Sequence, residues 1–243
     1  MRILVSFSAL LLAATALALS CATRAQAQST ASPAAGNGTY IPTDPLANVR
    51  YDNRYDLSLG MAYDHMKSGP IVLQGSNLGG LDLSASYWFS KHWAVEGTGR
   101  TYLGSSGAGT TNPYVKTGPF VSQYLFVAGP EWLGPHNKHG DLMAHLMVGG
   151  AYFDAHLGQP NGANPNPART EGFYNNQVAP AAIIGGHMDL NRSPRWVFRI
   201  TPDAVVTRYS TNYAPNAYTP AGRFTDVNFA ISVGVEYKFQ KKR

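Results

Sequence analysis

Acidic, basic and histidine side chains recur on one face of segments in which apolar and polar residues alternate. These residue types can do acid–base chemistry, bind metals or form ion pairs. The alternation assigns twelve of them to a common face: Asp56, Asp82, Glu96, Arg100, Glu131, His145, His187, Asp189, Arg199, Asp203, Glu236 and Lys238. Asp64 falls on the same face. Because unpaired charges are costly away from water, we expect these groups to form a network of ion pairs.

One pair in this set has the residue types for catalysis. His187 and Asp189 lie two residues apart on the shared face, and a histidine with a carboxylate is the minimum needed to activate water or a serine. From the sequence alone, no serine on that face can be assigned a position beside a histidine at the strand end where enzymes of this kind act. We therefore expect no catalytic residue, and an enzyme is the least favoured function.

The remaining histidines do not predict a metal site. His136 and His139 are three residues apart, but they lie in a turn flanked by proline and glycine, with only Asp141 as a nearby carboxylate. The single cysteine, Cys21, lies in an N-terminal segment that is expected to be removed. We expect neither a metal ligand nor a cofactor.

Residues 1–27 have the order of a secretory signal peptide. A basic residue precedes the apolar run Ile3–Leu19, and the small residues Ala25-Gln26-Ala27 mark the expected cleavage site. Acylation of Cys21 after an earlier cleavage is the alternative. Residues 28–53 are rich in Ser, Ala, Gly, Pro and Asn, which predicts a flexible leader.

Beyond the leader, the dominant pattern has a period of two residues. It is clearest in residues 54–64, 81–89 and 228–239, where apolar side chains alternate with small or polar ones. Five weaker segments of the same kind lie between these: His92–Leu103, Phe120–Trp132, Asp141–Phe153, Val178–Leu190 and Arg195–Tyr209. The sequence predicts an all-β domain of about eight strands over residues 54–239, followed by a basic tail at residues 240–243.

The connections between these segments alternate in length. Those at Ser90-Lys91 and Leu190–Pro194 are short, whereas residues 104–119, 154–177 and 210–225 are long. Outer-membrane barrels have short periplasmic turns and longer extracellular loops. The pattern predicts an eight-stranded antiparallel up-and-down transmembrane β-barrel with its apolar face toward lipid. A soluble barrel would instead turn its larger side chains inward.

Aromatic side chains collect at both rims of the predicted barrel. Threading the strands puts all four tryptophans at the periplasmic rim: Trp88, Trp93, Trp132 and Trp196. Simple alternation points Trp88 inward, unlike the other three. A second group is expected at the opposite rim: Tyr63, Tyr102, Phe120, Tyr152, Tyr174 and Tyr209. Aromatic girdles of this kind are typical of membrane-spanning barrels.

Composition narrows the classes of function. Only 14% of residues are charged and 12% are aromatic, compared with about 25% charged in soluble domains. The formal net charge is +5, from 19 basic and 14 acidic residues. Without Arg2 and Arg24 of the signal peptide, 17 basic residues face the same 14 acidic ones, a net charge of +3. This balance is too mild to predict a nucleic-acid partner.

Residues 54–239 resemble the small outer-membrane β-barrel family, which includes OmpA-like transmembrane domains and other porin-family barrels. The resemblance depends on the signal peptide, the tight turn in Tyr87–Glu96 and the closing strand Val233–Phe239. It also includes Phe126–Glu131 and Gly185–Asp189. It implies a barrel filled by interior ion pairs, located in a bacterial outer membrane. One departure is the basic tail after Phe239, where family members often end on an aromatic residue.

Three functions are compatible with these patterns. The first is a structural or surface-interaction role, with the interior plugged by ion pairs and with long loops such as 159–176 and 210–223 available to an extracellular ligand. The second is a narrow channel for ions or small solutes, and the third is an outer-membrane enzyme. A general porin is not expected, since water-filled lumens need about 16–18 strands. The expected partners are outer-membrane lipid, lipopolysaccharide and the outer-membrane assembly machinery.

Overall fold

A computed structural model describes residues 44–70, 75–106, 119–156, 172–211 and 221–240. These residues form eight β-strands: β1 (Tyr55–Met66), β2 (Ser76–Trp88), β3 (Trp93–Ser106), β4 (Phe120–Asn137), β5 (Gly140–His156), β6 (Gln177–Asn191), β7 (Trp196–Thr211) and β8 (Gly222–Phe239). The expected signal peptide, the leader up to residue 43, most of the long loops and residues 241–243 lie outside the described residues. Among the residues described, no helix has the length and apolar character needed to cross a membrane.

The eight strands close into a barrel. Each strand pairs antiparallel with the next, and β8 returns to pair with β1, so that Tyr55 lies opposite both Tyr87 and Phe239. The closing strands approach closely, because a Cβ atom at Gly234 would lie only 2.4 Å from Cα of Gly60. The predicted eight-stranded antiparallel up-and-down barrel is confirmed. Closure removes the unpaired edges that an open sheet would expose.

Several strands are longer than the hydrophobic alternation indicated. β4 continues past Trp132 to Asn137, with a shift of register between Leu133 and His136. β8 begins at Gly222 rather than near Asn228. Backbone pairing does not require an apolar face, so the ladder continues into rim segments with polar side chains. Period-two hydrophobicity marks only the middle of each strand.

Side chains alternate between the outside and the interior of the barrel, and the large apolar ones are outside. Leu81 and Leu83 are 56% and 52% exposed, whereas Asp82 between them is 6% exposed. This arrangement is the reverse of a water-soluble protein, which rarely exposes a continuous apolar surface. An apolar exterior around a polar interior is typical of barrels that span a lipid bilayer.

The interior has two sections of different chemistry. The charged section, nearer the short turns, consists of the twelve ionisable side chains on the shared face together with Asp141. The aromatic section, nearer the long connections, is centred on six buried side chains: Tyr102, Leu125, Phe153, Phe173, Tyr174 and Tyr209. Its rings pack together, with the centroid of Tyr209 lying 5.2 Å from Phe153 and 5.3 Å from Tyr174. This section was not predicted from the sequence.

The aromatic side chains at the rims differ in part from expectation. Tyr102, Tyr174 and Tyr209 are buried inside the barrel, so their assignment to an outer girdle was wrong. The position of a residue along its strand sets its distance from the rim. Whether the side chain points inward or outward depends on the alternation, and Tyr102 points to the same side as Arg100. The other three members of that group are exposed: Tyr63, Phe120 and Tyr152.

The four tryptophans divide in the same way. Trp93, Trp132 and Trp196 are exposed on the barrel exterior. Trp88 is only partly exposed, and its indole N–H donates to the buried carboxylate of Asp56. Its ring therefore lies at the end of the charged section nearest the short turns, and Trp88 does not belong with the three exposed tryptophans.

Candidate functional site

Arg100 on β3 connects opposite sides of the charged section. Its Nε lies 3.1 Å from Oδ2 of Asp82 on β2, and its Nη1 lies 2.5 Å from Oδ2 of Asp203 on β7. Because β3 and β7 are not neighbours in the sheet, the guanidinium crosses the interior. Asp82 also accepts hydrogen bonds from the hydroxyls of Thr98 at 2.8 Å and Ser232 at 2.6 Å.

Arg199 on β7 organises a second group. Its Nε and Nη2 each donate at 2.8 Å to the two oxygens of Asp189 on β6. Nη2 also lies 2.9 Å from Oε1 of Glu236 on β8. Next to this group, Nζ of Lys238 lies 3.1 Å from Oδ2 of Asp141 on β5. A bidentate guanidinium–carboxylate pair is among the stronger polar contacts. Through Asp189 and Glu236, Arg199 joins three consecutive strands, β6, β7 and β8.

A third group contains two histidines. Nδ1 of His145 on β5 and Nε2 of His187 on β6 lie 2.9 Å and 3.1 Å from the same oxygen, Oε2 of Glu96 on β3. Nε2 of His145 lies 2.8 Å from Oδ1 of Asp203, and Nδ1 of His187 lies 2.8 Å from Oγ1 of Thr201. The two rings meet edge to face, with centroids 4.6 Å apart. All four ring nitrogens therefore have polar partners.

His187 and Asp189, which share a face in the sequence pattern, do not contact each other. Asp189 binds Arg199, whereas His187 faces Glu96 and Thr201. Residues two apart on a strand point the same way but are separated by about 6.6 Å along it. A shared face therefore did not bring these two side chains into contact.

All twelve side chains that the sequence assigned to the shared face lie inside the barrel, each at most 6% exposed. Asp64 is fully buried as well. Two further carboxylates, Asp141 and Asp226, are also buried in the described interior and were not predicted from the sequence. Strand pairing identifies Asp141, because it lies directly opposite Asp189 between β5 and β6.

Negative charge is in excess in this interior. Among the described residues, ten carboxylates are buried: Asp56, Asp64, Asp82, Glu96, Glu131, Asp141, Asp189, Asp203, Asp226 and Glu236. In the same described part of the chain, five basic side chains are buried with them: Arg100, His145, His187, Arg199 and Lys238. Buried carboxylates need compensating positive charge or protons. The interior is therefore an environment that favours cations.

The end of the barrel nearest the short turns is covered by Tyr51, which precedes β1. Its hydroxyl donates to the backbone oxygen of Asn137 at 2.7 Å and accepts from Nδ2 of Asn191 at 2.8 Å. Nζ of Lys238 lies 4.8 Å from the centre of its ring. Burial and the nearby Asp141 carboxylate raise the pKa of Tyr51 to about 12. Tyr51, which was predicted to belong to a flexible leader, therefore packs against the barrel.

The opposite end is covered by Phe173 and Tyr174, which precede β6 and are both fully buried. The chain enters this position through Gly172, whose φ of 75° lies in the left-handed region that glycine adopts without strain. The backbone N–H of Tyr174 donates to the oxygen of Ser68 at 3.0 Å, and its hydroxyl donates to Asp226. The connection therefore turns two aromatic rings back into the barrel.

Little empty space is left between these two ends. One interior cavity, beside Ser58, Asp82 and Arg199, has a volume of about 10 Å³. Another, between Tyr51 and Asp56, is of the same size, about 10 Å³. Each is about large enough for one water molecule. The described interior is filled by side chains.

No protein-family model matches the chain, and no curated protein matches its sequence. Solved structures with a similar fold include the outer membrane protein OprG from Pseudomonas aeruginosa, which is 14% identical, with a TM-score of 0.49 over 80% of this chain and 99% of that chain. Ail, the attachment invasion locus protein of Yersinia pestis, is 16% identical, with a TM-score of 0.47 over 77% of this chain and 99% of that chain. Outer Membrane Protein W of E. coli is 11% identical, with a TM-score of 0.44 over 79% and 100%.

Proposed function

We propose that the protein is an integral protein of a bacterial outer membrane whose barrel is closed to solutes and which acts structurally or through its outward-facing segments. The observation that carries this proposal is the filled interior. Arg100 and Arg199 cross-link the charged section through carboxylates on four strands, and aromatic side chains cover both ends. A solute would have to break buried ion pairs, and each buried charge left without its partner costs about 3–5 kcal/mol.

The membrane location is supported by the exterior of the barrel. Its surface is dominated by large apolar side chains, and Trp93, Trp132 and Trp196 lie exposed at the rim of the short turns. Tryptophan prefers the interface between hydrocarbon and water. This surface suits outer-membrane lipid and lipopolysaccharide, and export by the predicted signal peptide 1–27 with insertion by the assembly machinery would deliver it there.

A surface-interaction role would depend on the long connections. Loops 159–176 and 210–223 are rich in Asn, Pro and Tyr and lie largely outside the described residues. Binding residues concentrate on loops that a rigid scaffold holds in place. We propose these loops as the site for an extracellular ligand, and we assign no enzymatic role, because the two interior histidines are enclosed within the filled barrel.

Single-channel recording in a planar lipid bilayer tests the closed barrel. The purified protein is expected to give no steady current. Arg100→Ala and Arg199→Ala remove the groups that cross the interior and are expected to produce current. Arg195→Ala, at an exposed position in the turn before β7, is the matched control and should stay silent. Steady current in the parent protein would contradict the proposal and favour the narrow channel.

A further inference from the structure

The histidine group of the charged section brings three ligand atoms to one point. Nδ1 of His145 lies 3.2 Å from Nε2 of His187, and Oε2 of Glu96 lies 2.9 Å from the first atom and 3.1 Å from the second. Zinc bonds of about 2.0–2.1 Å in a tetrahedral site place neighbouring ligand atoms about 3.3 Å apart. The three separations therefore have the size of tetrahedron edges.

The outer hydrogen bonds orient both rings for this role. The Asp203 carboxylate can only accept, so Nε2 of His145 carries the proton of their 2.8 Å contact and Nδ1 of the neutral ring has a free lone pair. With Nδ1 of His187 donating to Oγ1 of Thr201 at 2.8 Å, Nε2 of His187 has a free lone pair too. Metal-binding histidines are typically fixed in this way, by a partner on the nitrogen remote from the metal. Without a proton or a metal ion between them, the two lone pairs and the carboxylate oxygen would repel one another.

Glu131 supplies a second, independent observation. It is fully buried, and neither of its carboxylate oxygens accepts a hydrogen bond in the described part of the chain. Its Oε1 lies 3.8 Å from Nε2 of His187, next to the three converging atoms. A buried carboxylate whose oxygens accept no close hydrogen bond is costly. A cation in the histidine group would compensate it.

We propose that His145, His187, Glu96 and Glu131 form a binding site for one divalent transition-metal ion with the ligand preferences of Zn²⁺. Two imidazoles and two carboxylates match those preferences, and His145, His187 and Glu96 lie close enough to share an ion. The four ligands come from β3, β4, β5 and β6, so the ion would tie half of the barrel together. It would also reduce the excess of buried negative charge.

Cobalt binding tests this site directly. The protein is unfolded in chelator and refolded into detergent micelles with Co²⁺, and unbound metal is removed by gel filtration. The expected result is one Co²⁺ per chain, with the intense visible absorption of tetrahedral coordination, which should be absent when Zn²⁺ is included during refolding. Thr201→Val keeps every ligand atom but removes the partner of His187, so it should weaken binding about 10–100-fold.

Further variants locate the ion. His187→Ala and Glu131→Gln should each lower Co²⁺ affinity at least tenfold, and Glu131→Gln, which keeps the size of the side chain, provides the test if the histidine variant does not fold. The double variant His136→Ala, His139→Ala removes two exposed histidines, one at the end of β4 and one in the turn after it, and should leave binding unchanged. Folding of each sample is checked by circular dichroism and by heat-modifiable mobility on a gel.

Three results would overturn the proposal. A folded parent protein that retains no Co²⁺ would show that protons, and not a metal ion, hold the histidine group together. Retention of Co²⁺ by a folded His145→Ala, His187→Ala variant would place the ion elsewhere. Loss of Co²⁺ from the His136→Ala, His139→Ala variant would identify a site on the outer surface.

Discussion

The charged and aromatic sections fill the same barrel by different physical means. In the charged section, each guanidinium forms ion pairs with carboxylates on two other strands, as Arg199 does with Asp189 and Glu236. In the aromatic section, rings such as Phe153 and Tyr209 pack at centroid distances of 5–6 Å with few polar contacts. The first depends on ion pairs between strands, and the second depends on filling volume. The two sections should therefore respond differently to conservative and to drastic substitutions.

The largest effect is expected in the charged section. Arg199→Ala leaves the carboxylates of Asp189 and Glu236 buried without their shared guanidinium, which should lower the free energy of unfolding by about 3–5 kcal/mol. Urea titration of the barrel refolded in lipid vesicles, followed by tryptophan fluorescence, measures this loss. Arg195→Ala, at an exposed turn position, should change stability by less than about 0.5 kcal/mol. Equal effects of the two substitutions would show that the charged section does not depend on pairing.

The aromatic section should tolerate a change of shape better. Phe153→Ala opens a cavity in a fully buried position and should cost about 3 kcal/mol, whereas Phe153→Leu should cost less than about 1.5 kcal/mol. Arg199→Lys should recover little of the Arg199→Ala loss, because one ammonium cannot reproduce the bidentate fork. The same urea titration compares the four variants. Recovery by Arg199→Lys to the extent seen for Phe153→Leu would remove the distinction between the sections.

The sequence predicted the charged section better than the aromatic one for a physical reason. Strand geometry alone decides which side chains face inward, so alternation placed Arg100 and Glu236 correctly. Contacts across the barrel, such as Arg100 with Asp203 on β7, depend on closure and on register, which period-two patterns do not contain. Residues before β6 have no periodicity, so the return of Phe173 and Tyr174 into the interior had no signal in the sequence.

The metal-ligand cluster shows the same limit at one site. Sequence spacing drew attention to His136 and His139, which are close along the chain, whereas His145 and His187 are 42 residues apart. Strand pairing is what brings them together, since β5 and β6 are neighbours and His145 and His187 lie diagonally across that pair, opposite Gly185 and Met143. Glu131 lies directly opposite His145 between β4 and β5.

A single hydroxyl tests how much the aromatic section relies on polar contacts. Tyr174→Phe removes the donor to the buried carboxylate of Asp226 and should cost about 1–2 kcal/mol, since hydrogen bonds to charged groups are the stronger ones. Tyr209→Phe removes only the hydroxyl that accepts from Nε2 of Gln123 at 2.8 Å, and about 1 kcal/mol is expected. Thermal unfolding in detergent orders the two variants. A larger loss for Tyr209→Phe would mean that charge is unimportant in this section.

The smallest effect concerns pH at the end of the charged section. The pKa of Tyr51 rises from 10.0 to about 12 in the folded protein, chiefly because of burial. Above pH 10 the unfolded chain releases this proton first, so the stabilisation is complete below pH 10 and is lost as pH rises through 12. Tyr51→Phe removes the ionisable group, and the stability difference between parent and variant should therefore shrink between these two pH values. Unfolding midpoints of both proteins, measured across that range, give the comparison. A difference that stays constant across the range would show that the hydroxyl of Tyr51 is in contact with water, and that this ring does not close the barrel.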